Sequence, residues 1–293
     1  MEFDLDVEQP RKSAPVPVGS IEPLARRLNV PPERQLLYKI MTVETLLRSI
    51  AEAYLHFNRV DLYRDFPGAD PHDGQQLPSD QQGNTTARFE KAPNFSMADY
   101  YDQSRSRSYA CRLSLENSNF IWNNYASGSE RGKVCIVFDF GKLRAMLNRT
   151  LQPGNAALLY RGNQCHQIFS INFGIIEYIE WDQHQANSPY LPNPVEYSYL
   201  KAKKFCEEKE FRISLSALGI GQFALNDGST MQFPASLQMY FDFRAAIAEG
   251  TIREILYAPD CDRVFLHAEL RKLCTVPEDE NASGNMQRTR VGP

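Results

Sequence analysis

No stretch of this 293-residue chain is apolar for long enough to cross a bilayer, which takes about 20 residues. The opening segment, Met1-Glu-Phe-Asp-Leu-Asp-Val-Glu8, is acidic and has no basic-then-apolar leader pattern, so a cytoplasmic protein without a membrane partner is expected. The six cysteines include no Cys-x-x-Cys pair, and Cys135 and others sit inside apolar runs. That pattern argues for free thiols in a reducing compartment and against a zinc site, so no metal is assigned. The five histidines include no His-Glu-x-x-His pair. There is no phosphate-loop motif and no Gly-x-Ser-x-Gly elbow, and Gly219-Ile-Gly221 lacks the third glycine of a dinucleotide fingerprint. A net charge of −4 argues against broad, sequence-independent binding to nucleic acid and leaves a local basic groove open.

What is present suffices for one large core, with 42% of residues apolar. Six prolines among the first 34 residues mark 1–34 as a surface tail, with a short helix at Glu22–Leu28. Residues 35–275 form a single domain, and 276–293, polar and charged, form a second tail. The first strand is Leu36–Ile40. Thr42 then caps a helix with Val43, Leu46, Leu47 and Ile50 on one face, followed by a strand at Tyr54–Phe57. From residue 64 to 100 the composition turns to Asp, Gly, Pro, Gln, Asn and Ser, which predicts an insertion outside the core, a lid or a binding loop. Gly132–Asp139 is the clearest strand. Others are expected at Gln167–Phe173, Ile175–Glu180, Glu210–Leu215 and Ile252–Tyr257, with helices at Asn119–Ala126, from Ser236 to Gly250, and around Leu266–Cys274. Strands and helices do not alternate, so the class is α+β.

The richest chemistry lies in Phe205-Cys-Glu-Glu-Lys-Glu-Phe-Arg-Ile213. Strand alternation would put Glu208, Glu210 and Arg212 on one side of a sheet. Two adjacent carboxylates are costly unless a cation or a sugar's hydroxyls lie between them. The plainer reading is a solvated edge strand with an Arg–Glu ladder. Trp122 and Tyr125, one helical turn apart, fit a packed core, and Lys39 fits the wet side of a strand.

Five blocks in order resemble the domain-of-unknown-function 2971 (DUF2971) family. They are Leu37-Tyr38-Lys39 leading to Leu55-His-Phe57, Arg112-Leu-Ser114, Ile121-Trp122-Asn-Asn-Tyr125-Ala126, Gly132–Ile136 leading to Ile176–Tyr178, and Lys204–Arg212, with Ile252–Ile255 near the end. Asp65–Asp73 replaces that family's Asn-Asp-Pro-Phe-like segment, and Asn124 stands where its members often carry His. The same order of parts is similar to the ADP-ribosyltransferase plan, which implies two small sheets, mixed or antiparallel, flanked by helices and holding NAD in the cleft between them. The resemblance makes Glu210 the carboxylate that stabilises the oxocarbenium-like state, with Glu208 placing the acceptor or tuning Glu210. It puts Lys39, beside Tyr38, on the cofactor, stacks Tyr125 or Trp122 on nicotinamide, and adds Ser114 and Arg212 to the cofactor-binding set. This plan requires Lys39 to face Glu210 across a hollow large enough for a dinucleotide.

The expectation is an NAD-consuming transferase of toxin or phage-defence type, with a protein, a nucleic acid or water as acceptor. Two other readings stay open: a non-catalytic module binding a nucleotide or a partner, and a metal-dependent hydrolase built on Asp65, Asp70, His72 and Asp73.

Overall fold

Val134, Ile136 and Val137, the β-branched run of the clearest predicted strand, are fully buried, as is Cys135 between them. Both faces of this strand are therefore covered. The computed structural model describes residues 19–65, 68–152, 155–160, 163–166, 169–184, 193–217, 222–224 and 230–274. Both tail ends, 1–18 and 275–293, lie outside the described residues.

The first half contains β1 (Leu36–Thr42), α1 (Val43–Ala51), β2 (Tyr54–Arg59), α2 (Pro78–Thr86), β3 (Arg88–Phe89), β4 (Ala92–Ser96), α3 (Met97–Arg105), β5 (Ser108–Ser114), α4 (Asn119–Asn124), β6 (Lys133–Asp139) and α5 (Phe140–Thr150). The second half contains β7 (Ala156–Tyr160), β8 (Asn163–His166), β9 (Phe169–Ile175), β10 (Glu177–Ile179), β11 (Leu200–Ala202), β12 (Glu210–Ala217), β13 (Gln222–Ala224), β14 (Thr230–Gln232), β15 (Ser236–Tyr240), α6 (Phe243–Ala248), β16 (Ile252–Tyr257) and α7 (Arg263–Cys274). This is a mixed α+β single domain with several sheets.

Where two small sheets were expected, ten strands form one hydrogen-bonded network that forks at β5. One edge of β5 pairs with β12 along its whole length, and β12 pairs in turn with β9. The other edge pairs with β1 at Ser114 and with β2 at Ala110 and Tyr109, so the two branches diverge from a single strand. The branches run β1–β6–β16 and β2–β15–β7–β8, and every pairing in the network is antiparallel. The apolar faces of α1 and α5 close on it through Val43, Leu46, Leu143 and Leu147.

Thr42 caps α1 as the sequence predicts, its hydroxyl accepting from Thr45 N at 3.1 Å. Replacing Thr42 with Ala removes that acceptor and should cost about 1 kcal/mol, read as a fall of roughly 2–4 °C in thermal midpoint.

Three expectations are corrected. Ser236–Tyr240 is a strand, not the start of a helix: Leu237, Met239 and Phe241 are buried at a spacing of two, and Asp242 is the cap of the helix that follows. The stretch read as a surface tail is docked from Gly19 onward. Ser20 O accepts from Ile171 N, Glu22 N donates to Ile171 O, and Asn29 O accepts from Ile175 N, so this segment covers the free edge of β9. A Cβ on Gly19 would fall 1.9 Å from the Phe169 carbonyl oxygen, which explains the glycine there. The polar insertion is ordered as α2, β3, β4 and α3. Leu77 of the insertion and Tyr101 just past it in α3 join Ile179, Trp181 and Tyr197 in a satellite core, while Asp70, Asp73 and Gln76 are buried through hydrogen bonds.

Candidate active site

Strand β12 lies between β5 and β9, so its polar side chains enter the interior. Glu210 is 2% exposed and Arg212 is fully buried. The reading of a solvated edge ladder therefore fails. Register sets Glu210 beside Ser114 and Arg212 beside Arg112, and puts all four on one face.

Glu208 reaches this group by another route. It ends the 3-10 helix Lys203–Glu208, and Lys209, with φ of 45°, turns the chain before β12 begins. Strand alternation is thus not what aligns the two carboxylates. Lys201 of β11 joins them: its Nζ donates to Glu208 Oε2 and, at 3.1 Å, to Glu210 Oε2. Arg212 donates from Nε to Glu210 Oε1 at 2.8 Å and grips Asp73 with both terminal nitrogens, at 2.7 and 3.1 Å. Arg112 lies 3.4 Å above the ring of Tyr63 and 3.3 Å from Asp73 Oδ2, and its Nε is 3.7 Å from Glu210. Tyr178 Oη accepts from Glu210 N at 2.8 Å.

The two carboxyls are driven apart. Burial raises the proton affinity of Glu208, and the charge of Glu210 raises it further, against the pull of Lys201. Burial acts the same way on Glu210, but Arg212, Lys201 and Arg112 outweigh it and hold this carboxyl far below the usual range. Glu210 is therefore held as the anion by its cations, with its oxygens already engaged, and Glu208, whose side chain is 10% exposed against 2% for Glu210, is the less enclosed carboxyl. Burial, with the charge of Glu208 next, also raises the pKa of Tyr125, whose phenol hydrogen-bonds to Glu208. Replacing Glu210 with Gln removes the anion that raises Glu208, so the Glu208 carboxyl should titrate at lower pH, as followed by carbon-13 NMR.

The remaining assigned residues divide. Ser114 is adjacent, its Oγ 3.0 Å from the carbonyls of Glu208 and Glu116, where it fixes the turn. Tyr38 shares the face through its pairing with Ser114, and burial, with Glu254 nearby, raises its pKa. Trp122 donates its indole N–H to Asn117 Oδ1 at 2.7 Å. Lys39 points away. It follows Tyr38 in the strand and so projects from the opposite face, where its Nζ donates to the Arg112 carbonyl at 3.2 Å, in the fork between β1 and β2. The expected hollow between Lys39 and Glu210 is occupied by the backbone of β5, so the cofactor cleft that the resemblance implied between these two residues is not met.

Lys201, Asp73, Arg112, Tyr63 and Tyr178 complete the cluster, and sequence reasoning had assigned none of them to it. Lys201 is one of three lysines in Lys201-Ala-Lys-Lys204, and nothing local marks the buried one. The acidic loop had been set apart as a metal candidate. Asp73 belongs instead to Arg212, while Asp70 accepts from the backbone N–H groups of His72 and Ala202. Among the described residues, no three His, Cys, Asp or Glu side chains converge as metal ligands. Nor, among them, is any helix long and apolar enough to cross a membrane.

A family model described as "Protein of unknown function (DUF2971)" matches residues 121–213. The matched segment runs from α4 into β12 and includes Trp122, Tyr125, Tyr178, Lys201, Glu208, Glu210 and Arg212. The expected blocks at Leu37–Phe57, Arg112–Ser114 and Ile252–Ile255 lie outside it. No curated protein and no solved structure matches the chain, and nothing ties this topology to the ADP-ribosyltransferase fold.

Proposed function

We propose that the protein breaks the nicotinamide–ribose bond of NAD, or the corresponding bond of a related nucleotide, with Glu208 as the reacting carboxylate. One observation carries this reading: two glutamates tied to one lysine have proton affinities moved in opposite directions, Glu208 up and Glu210 down. Separated pKa values in a carboxylate pair are how a site assigns distinct roles to like groups. Glu210, enclosed by cations, is a positioning residue: it holds Lys201 and Arg212 and sets the proton affinity of Glu208. Glu208, the less enclosed of the two carboxyls, is the one left to meet the sugar. Once ionised, it offers a fixed anion to the sugar as positive charge develops, or accepts a proton from the incoming acceptor.

The Arg112 guanidinium, with one-fifth of its side chain exposed and its flat face on Tyr63, is placed to meet an anionic part of the substrate. The acceptor is water, a protein or a nucleic acid. The test is to incubate the protein with NAD and quantify free nicotinamide. Release above the uncatalysed background supports the proposal, and absence of base release from NAD and from related nucleotides, with and without candidate acceptors, refutes it.

A second reading, a non-catalytic nucleotide-binding module, is favoured by the saturation of Glu210. It predicts that nucleotide raises the thermal midpoint without turnover.

A further inference from the structure

We infer that a second ligand site, for a single aromatic or heteroaromatic ring bearing an amide or amino group, lies behind the carboxylate pair. It is coupled to that pair through the β10–β11 ribbon. The inference does not rest on NAD being the substrate.

The two strands pair in parallel, with Glu177 beside Leu200 and Tyr178 beside Lys201. Successive rows of a ribbon face opposite ways. The Tyr178–Lys201 row meets the carboxylates: Tyr178 Oη accepts from Glu210 N, and Lys201 donates to both glutamates. The Glu177–Leu200 row lines a cavity of about 140 Å³. Neither Glu208 nor Glu210 lines it, so it is a separate site whose wall is the back of the first.

Its size and lining indicate its occupant. An apolar cavity of about 150 Å³ accommodates benzene. Here Leu28, Ile175, Leu200, Tyr197 and Tyr199 supply flat or aliphatic walls. A hydrocarbon ring would nevertheless leave the polar side unmatched. Arg27 and Glu196 form an ion pair of 2.9 Å at the lining, with 38% and 20% of their side chains exposed. Burial raises the proton affinity of Glu196, which marks a carboxyl short of solvent. An amide oxygen would accept from Arg27, and an amide or amino hydrogen would reach Glu196. Tyr199 ties this wall to the strand of the first site, its phenol sharing a hydrogen bond of 2.7 Å with Ser214 of β12.

Benzamide and adenine are the probes, titrated calorimetrically into the full chain with benzene as the apolar control. At least one amide- or amino-bearing probe should bind saturably, and benzene should bind more weakly. Leu200→Trp, which fills the cavity, should abolish the heat, and Glu196→Gln, which keeps an oxygen for Arg27 and for the Asn193 N–H, should weaken binding about tenfold or more. Glu208→Gln should leave it within about twofold. With probe bound, the carbon-13 titration of the Glu208 carboxyl should move relative to the free protein. No saturable binding by either probe overturns the inference, as does binding that is insensitive to Glu196→Gln. Loss of binding in Glu208→Gln would place the probe at the carboxylates and overturn the separate site, while an unmoved Glu208 titration would overturn the coupling.

Discussion

Arg212→Met should destabilise the protein by about 3–5 kcal/mol, the cost of removing one partner from a buried ion pair. Against total stabilities of about 5–15 kcal/mol this is a large fraction, and chemical denaturation monitored by circular dichroism will register it. Methionine occupies a similar volume without charge, so the loss is electrostatic: Asp73, Glu210 and the Ser198 carbonyl lose their shared donor in the interior. The effect has a pH signature. Glu210 is held far below its unfolded proton affinity, so it contributes stability above the unfolded carboxylate range, around pH 4.3, and loses it as pH falls towards the folded value. Without Arg212 the depression is smaller and less is lost on acidification. The deficit of the variant should therefore be largest near pH 7 and narrow below pH 4. Adding Asp73→Asn to Arg212→Met should recover part of it, since the two share an interaction. A variant as stable as the parent at pH 7 would show that the cluster does not hold the sheet together.

Glu208→Gln should leave the fold intact and abolish most activity. The amide is nearly isosteric and keeps an oxygen for Lys201, but it can neither carry a negative charge nor accept a proton. If Glu208 stabilises charge in the transition state, kcat should fall by about 10²–10³, equivalent to about 2.7–4 kcal/mol, with KM little changed. In the parent, activity should rise with pH through the titration of Glu208, whose pKa is raised, because the proposal assigns the work to its ionised form. In Glu210→Gln, provided it folds, that limb should shift to lower pH. Glu208→Gln with parental nicotinamide release would eliminate the assignment. So would an acidic limb that stays in place when Glu210 is changed.

The parts of this fold legible in the sequence are those whose periodicity and caps agree. Helix α1 has an apolar stripe and a Thr42 cap, β6 has its β-branched run, and the spans expected for β16 and α7 match closely. Strand β15 was misread because Leu237, Tyr240 and Phe241 fit helical spacing, whereas the buried set, Leu237, Met239 and Phe241, has a period of two. Helix α5 carries a period of its own in Leu143, Met146 and Leu147 behind an Asp139 cap, which went unread after the strand before it. The polar insertion defeated composition because its buried groups are satisfied by hydrogen bonds, as in the contact of Gln76 with Asn84.

At the site, Glu208, Glu210 and Arg212 were visible as a local charge pattern. Their counter-ions were not. Asp73 lies well over a hundred residues from Arg212, and Lys201 is delivered by the parallel pairing of β11 with β10, which no periodicity encodes. Lys39 was misplaced because alternation assigns a side only once a register is known, and the pairing of its neighbour Tyr38 with Ser114 of β5 becomes apparent only in three dimensions.

The forked strand has a consequence for how the chain is born. Strand β5 ends at Ser114, yet its full-length neighbour β12 does not begin until Glu210, and β15, which closes one arm of the fork, comes later still. At roughly 5–20 residues per second, a ribosome exposes the bare edge of β5 for about 5–20 s before its partner exists. Nascent chains stalled between Ser114 and Glu210 should therefore be held by chaperones and cut readily by protease, and those stalled beyond Tyr257 should be protected.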